Sequence, residues 1–597
     1  MKRMPIWEIA IRRLDMPTSR FLIFYVGSAA ASGFITAALM MILAPNLFFG
    51  PIGFILLFLL PVLTGGAAVF YPILEVQRSA LQIEKEMHMF ITRMGILSLG
   101  EIGAQSIFDI LRQMTDYGEL AAEVQRIETL VDKWHTSLPE AARIVGQQSP
   151  SPLWSDFLDR MSFSIEAGQR IDEFMRSEQE TIAEKYSTLY DTRLEKVDSL
   201  KEIYVALVSA GLFGLVIAGI HLVLFQTGEA GGDLFTILGR MRWLILASLL
   251  FVILQVGALF SFRAAIPDDL MFARDEMITP FRRLFFQTWI VSGIVTGILL
   301  VGTIVVVILY IDVLMLEWDK YGLILAAVPL TPLLIPAFLQ RREEHQVTRR
   351  DESYPGFIRA LGGTAQARSA EPSATIKALR GIDFGLLDFA IERLEKRLST
   401  RIDSERAWDY FSSETNSDVI TRYNRIYIEG AQSSGLPANT ADLVSKSVTS
   451  QLSLRRRKAL SAETMFGTAI GLLIATVASL NVTISIIKQL GSTISGVASR
   501  LGATDIDAIA SGGAGFGLPV LENNAVIDEN IQAFKVTISL LIILKIITLG
   551  AISTRLRGGG ITSAIGQMVQ MTWLAGITSL LVAILMDAAL GTFSVSV

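Results

Sequence analysis

Few residues in this chain could do chemistry, and they are scattered. Lys545 stands in Leu541-Ile-Ile-Leu-Lys545-Ile-Ile, inside an apolar run of membrane-spanning length. An ammonium at mid-span costs about 2.5–3.5 kcal/mol on insertion scales, so it is expected to face protein or water. Asp587, in the last apolar run, is the candidate counter-ion, although its position puts it nearer the outer surface. Lys545 reads either as a structural or snorkelling cation or as a device for handling another helix inside the membrane. Two basic sets stand elsewhere: Arg341, Arg342, Arg349 and Arg350, then Arg455, Arg456, Arg457 and Lys458. They offer charge, not catalysis. The rules of membrane insertion, anionic lipid headgroups or a protein partner could each use them.

The usual marks of an active site are missing from the sequence. The four histidines, His88, His135, His221 and His345, are far apart, and nothing in their spacing converges on a metal. There is no cysteine, which removes disulfides, thiolate metal sites, iron–sulfur clusters and cysteine nucleophiles. No phosphate loop and no His-Glu-x-x-His pair occur. Asn481-Val-Thr483 has the form of a glycosylation acceptor but lies inside an apolar run. The expectation is a protein that is not an enzyme, with no catalytic, cofactor or metal residues and no nucleic-acid partner.

The elements that position the charged residues are apolar spans. Of 597 residues, 51% are hydrophobic and 18% charged, with a net charge of −5. Nine runs are close to the ~20 residues needed to cross a bilayer core. They are 21–44, 52–74, 203–225, 243–262, 288–310, 322–339, 464–487, 536–552 and 567–590. Phe21–Ala44 is too long for the apolar part of a signal peptide and should remain as a membrane helix. Basic residues near the span ends fall on one side, which is therefore cytosolic. These include Lys2, Arg3, Arg12, Arg13 and Arg20, then Arg263, Arg274, Arg282 and Arg283, and Arg555 and Arg557. The N-terminus should lie in the cytosol and the C-terminus outside.

This plan occurs twice, 262 to 263 residues apart. Leu99-Gly100 answers Leu361-Gly362, and Ile165-Glu166 with Gln169 answers Ile428-Glu429 with Gln432. Each repeat reads span, span, cytosolic helical segment, span, span, so both have the same orientation. The expected order is a cytosolic segment 1–20, spans over 21–74 and a first cytosolic helical domain over 75–202. Spans over 203–262, a cytosolic loop 263–287 and spans over 288–339 follow. A second helical domain occupies 340–463, with a span over 464–487. An outer Gly/Ser-rich loop 488–535 precedes the last spans, 536–590.

Both polar segments read as antiparallel helical bundles, without the period-two alternation of strands. Ser137-Leu-Pro-Glu140 fits a capping box, and Ser151-Pro152 fits a cap followed by proline. Asp403 and Ser417 are candidate caps, and Gly168 and Gly435 candidate stops. Residues 75–202 carry 14 basic and 23 acidic side chains, a net of −9; residues 340–458 carry 20 and 16, a net of +4. Such unlike surfaces are either solvated faces or docking faces, toward each other or toward a partner.

These residues carry a resemblance. Glu86-Met-His-Met-Phe-Ile-Thr-Arg-Met94, Ser137–Arg143, Asp351–Gly362 and Ile428-Glu429-Gly430 with Gly435-Leu436-Pro437 resemble the F domain of type II secretion and type IV pilus platform proteins. Nine spans with two such domains is similar to the archaeal branch, above all the archaellum platforms. The resemblance implies an all-α polytopic membrane protein with two F-type bundles in parallel tandem repeat. It implies a non-enzymatic platform that couples a cytosolic hexameric secretion ATPase to assembly of pilin-like subunits, and a homodimer. The partner contacts would fall on Arg341, Arg342, Arg349 and Arg350 and on Arg455–Lys458. Platforms of archaeal adhesion pili or secretion systems share the plan. From another class, a secondary transporter with parallel repeats would need paired ionisable residues near the midplane, and only Lys545 offers material for that.

Overall fold

The computed structural model describes residues 8–10, 18–43, 51–100, 107–108, 110–111, 117–224, 241–267, 269–273, 279–368, 372–511 and 524–594. Lys2, Arg3, Arg12, Arg13 and Arg274, and the Gly-rich stretch 512–515, lie outside them. The described elements are helical. In chain order they are α1 (Thr18–Phe21), leading through a π-helical stretch Leu22–Val26 into α2 (Gly27–Leu43), then α3 (Pro51–Ser98) and α4 (Glu119–Trp134). Next come α5 (Leu138–Gln148), α6 (Pro152–Glu166), α7 (Ile171–Leu224), α8 (Arg242–Ala265), α9 (Pro280–Leu309), α10 (Ile311–Leu316) and α11 (Trp318–Leu330). The second half holds α12 (Leu334–Arg368), α13 (Pro372–Ala378), α14 (Asp388–Ser399), α15 (Ser404–Thr415), α16 (Asp418–Ser434), α17 (Pro437–Ser511), α18 (Asn524–Arg557) and α19 (Ile561–Ser594). Among the described residues, nine helices are long and apolar enough to cross a membrane. This is an all-α polytopic membrane protein.

Contacts divide the chain into two units. The first is Met1–Tyr190 with Arg349–Leu454, and the second is Asp191–Thr348 with Arg455–Val597.

The first unit holds both polar segments, and they share one core. Phe90, Trp154 and Phe157 of the first segment belong to the same buried cluster as Tyr354, Phe357, Phe411 and Tyr423 of the second. The reason is legible in α3. Residues Met87–Ser98 are buried all round the helix, so one face packs inside the first segment and the other meets the second. Gly430 of α16 lies against Ile96, where any side chain would collide. On α2, Gly33 sits against Leu60 and Pro61 of α3, a close approach that small residues permit.

Local signals end the helices of this unit. Ser151 accepts from the Trp154 amide at 3.3 Å, Asp403 from Arg406 at 3.3 Å and Ser417 from Ile420 at 3.2 Å. Gly168 and Gly435 take positive φ of 76° and 64°, the left-handed conformation that stops a helix. The capping box at Ser137 does not form. The Ser137 side chain makes no cap hydrogen bond, and Glu140 instead pairs with Arg143 one turn on.

The second unit packs the later spans around Leu215, Phe251, Leu473, Val477, Ile542 and Leu549. The sixth span is not one helix. It passes from α11 through a 3-10 turn, Thr331–Leu333, into α12. Pro329 and Pro332 there lack the amide that a continuous helix would use. The expected outer loop is also shorter than 488–535. Helix α17 continues to Ser511 and α18 begins at Asn524. Gly491, Gly496 and Gly502 each weaken a helix by about 1 kcal/mol, but they are spaced singly among Ala, Ile, Leu and Val.

Candidate functional site

The basic set 455–458 belongs largely to internal packing of the second unit. Lys458 is buried and its Nζ donates to the Pro267 carbonyl at 2.6 Å, with Asp269 at 3.3 Å. Arg455 donates to the Leu270 carbonyl at 2.6 Å, and Arg457 pairs with Asp191. Together they hold Pro267, Asp269 and Leu270, after α8, and Asp191 of α7. Arg456 remains exposed.

The earlier set divides in the same way. Arg350 is buried in the first unit, donates to the Thr415 carbonyl at 3.0 Å and stacks over Phe389 at 5.1 Å. Arg341, Arg342 and Arg349 are exposed on α12. One turn of α12 away from that surface, Glu344 accepts from the Gly560 amide at 3.0 Å and from Ser563 Oγ at 3.4 Å. Its carboxylate thus sits at the N-terminus of α19, where amides and the helix dipole favour an anion. Burial pushes its carboxyl above the ordinary range even so, because these donors only partly replace water.

Within the membrane-spanning part, Lys545 and Asp587 do not meet. Lys545 is fully buried and donates to the Leu472 carbonyl at 3.0 Å and to Thr476 Oγ1, both on α17. Asp587 pairs with Lys320 at 3.0 Å. The acidic centre of this unit is Asp319, which the sequence alone presents only as part of a short acidic loop. It receives Lys488 at 2.7 Å and Lys535 at 3.0 Å. Ser579 donates to its main-chain carbonyl and also reaches Asn481 at 3.1 Å. Asp319, through its carboxylate and its main-chain carbonyl, therefore knots α11, α17, α18 and α19. The available signal was that Lys488 and Lys535 are cations at the outer ends of the seventh and eighth apolar spans.

In the first unit, a polar network crosses between the two segments. Thr92 meets Ser447 at 3.0 Å, and the Tyr423 hydroxyl meets Ser447 at 2.9 Å and His88 Nδ1 at 3.4 Å. Arg93 pairs with Glu429, and Arg422 with Glu86. Burial pushes the His88 imidazole down to about 4. These groups weld two bodies; no substrate reaches them, since all but the carboxylates and Arg422 are buried. Among the described residues, no group of three or more His, Asp or Glu side chains could hold a metal ion.

Comparison with known proteins fits this arrangement. Residues 90–219 match the type II secretion system protein F family, from the core of the first segment into the third span. The chain is 29% identical over 489 residues to the flagella accessory protein J of Methanocaldococcus jannaschii, covering 77% of this chain and 80% of that protein. It is 27% identical over 450 residues to the same-named protein of Methanococcus voltae, covering 73% and 76%. No solved structure matches. Residues 90–219 thus resemble the type II secretion system protein F family, and most of the chain is similar to the archaeal flagella accessory protein J.

Proposed function

We propose that this chain is the membrane platform of an archaellum, coupling a cytosolic hexameric secretion ATPase to the assembly of pilin-like subunits. The observation that carries the reading is the likeness to flagella accessory protein J along about four fifths of that protein. Platforms of adhesion pili share the plan and remain the neighbouring reading. The platform itself does no chemistry. Its task is mechanical: to pass the partner's movements to subunits held in the lipid. Helices α7 and α17 each run unbroken from polar segment into apolar span, and a long helix without internal proline curves only gently.

The N-terminus and both polar segments then lie in the cytosol, with the C-terminus outside. Exposed Arg341, Arg342 and Arg349 are the charges left to meet an acidic face of the ATPase. The test uses the full chain in lipid nanodiscs with the purified ATPase of the same cell. Binding and stimulated hydrolysis are expected, and Arg341→Glu with Arg342→Glu and Arg349→Glu should weaken both. A platform that neither binds nor stimulates any filament ATPase of that cell overturns the reading.

A further inference from the structure

The spans of the second unit enclose a line of buried polar groups, and Lys545 stands in its middle. Its Nζ meets two acceptors, the Leu472 carbonyl at 3.0 Å and Thr476 Oγ1. Among the described residues no carboxylate pairs with it. A neutral amine has two N–H groups, and these two acceptors satisfy it in full. An ammonium has three, and its charge would stand between the spans without a counter-ion. The site therefore suits an amine that takes up a proton and gives it back.

On one side the polar groups lead to Glu344. Thr548 lies three residues from Lys545 along α18, and Ser553 five residues further. Ser553 Oγ donates to Gln567 Oε1 at 2.6 Å, and Thr554 Oγ1 donates to the same atom at 3.0 Å. Ser563, one turn before Gln567 on α19, donates to Glu344 at 3.4 Å. On the other side they lead to Asp319. Asn481 lies five residues beyond Thr476 on α17 and meets Ser579 Oγ at 3.1 Å. Ser579 reaches the Asp319 main-chain carbonyl, and the Asp319 carboxylate meets Lys488, which is one-third exposed. Apart from Glu344 and Lys488, each of these side chains is buried.

Asp319 and Glu344 stand beyond opposite ends of the sixth apolar run, 322–339, so the line crosses the apolar thickness. Successive groups either touch or lie at most five residues apart on one helix, about 7.5 Å of rise. Bridging water fills gaps of that size. At the Asp319 end, Lys320, Lys488 and Lys535 are balanced by Glu317, Asp319 and Asp587, so these groups set up no net positive charge against a proton.

We propose that this line is a proton relay, with Lys545 as its station inside the membrane. A proton arriving at the Glu344 carboxylate passes over hydroxyls and water to the Lys545 amine, which becomes an ammonium. The ammonium releases it through water held by Asn481 and Ser579 to the solvent at Lys488, and the amine is restored. The Gln567 and Asn481 amides hold hydroxyls and water in place. Only O–H and N–H bonds break and form, and one positive charge crosses in each cycle. The relay is independent of the filament reading.

The test reconstitutes the full chain in phosphatidylcholine vesicles that enclose a pH-sensitive dye. A potassium diffusion potential set with valinomycin drives protons inward. Entry well above that of protein-free vesicles is expected. Lys545→Met should bring it down to the protein-free rate. Glu344→Gln keeps an acceptor for the Gly560 amide but carries no proton, and should slow entry. Melting of each variant alongside the parent separates a lost relay from a lost fold. Parent vesicles that take up protons no faster than protein-free ones overturn the proposal, and so does entry that either folded variant leaves unchanged. The buried groups would then serve helix packing alone. No ATPase takes part in this assay, so its failure leaves the filament reading untouched.

Discussion

Single residues show how burial decides the meaning of a charge. Lys545 is the polar group most visible in the sequence, yet its two acceptors are a carbonyl and a hydroxyl on α17. Replacing a buried ion by an apolar side chain of similar volume is often neutral or stabilising. Lys545→Met is therefore expected to insert normally and to melt in detergent no lower than the parent. Asp319 is the reverse case. Asp319→Asn leaves Lys488 and Lys535 facing each other without a carboxylate, and should cost about 3–5 kcal/mol. The check is the melting temperature of the purified chain, with Lys535→Met in the same background expected to recover part of the loss.

His88 gives a pH signature. Its pKa is about 4 in the folded chain against the usual 6.5, because the charged ring would lose its hydration. Below pH 6.5 the unfolded chain binds a proton that the native chain declines, so unfolding is favoured. Stability from this group is intact above pH 6.5 and is lost as the pH falls toward 4, by about 3 kcal/mol in all. His88→Gln should flatten that part of the profile, measured as chemical-denaturation midpoints from pH 7 to 4.5.

At the level of elements, capping residues were readable where the chain's local chemistry was sufficient. Ser151, Asp403 and Ser417 each take the amide their position suggested. Ser137 had the right neighbours and failed, because Glu140 is better satisfied by Arg143. Ser417 does more than cap: its hydroxyl also donates to Asp351 on α12. Ser417→Ala should destabilise the chain by about 1–2 kcal/mol, and Ser417→Asn by less if the cap matters more than the Asp351 bond. The proline-rich break in the sixth span and the helical stretch from Lys488 to Ser511 were not readable. Hydropathy reports burial, and it is blind to a 3-10 turn or to glycines carried within a long helix.

At the level of the molecule, the two repeats are not two separate bodies. Arg93 and Glu429 come from different segments and pair in a largely desolvated joint. Arg93→Glu should therefore expose the joint to limited proteolysis, and adding Glu429→Arg should restore protection. Both effects should persist at high salt, since partly buried pairs are screened far less than surface ones. A joint that opens in salt alone would mean that charge, not the common core, holds the segments together.

The sequence by itself determined the class of this protein. Apolar runs of spanning length and a repeated order need only composition and spacing, which survive without any knowledge of contacts; the short F-type stretches add a resemblance. It also located the basic residues at the span ends, since insertion acts on the chain locally. Only the tertiary structure decided which charges were free. Lys458, Arg455 and Arg350 look the same in sequence as Arg341, Arg342 and Arg349. The first three are consumed by carbonyls and a ring brought from up to about 190 residues away. An ion pair such as Asp319 with Lys488 and Lys535 is a meeting of three distant stretches. No local pattern encodes it, because its energy exists only once the spans have packed and water has left.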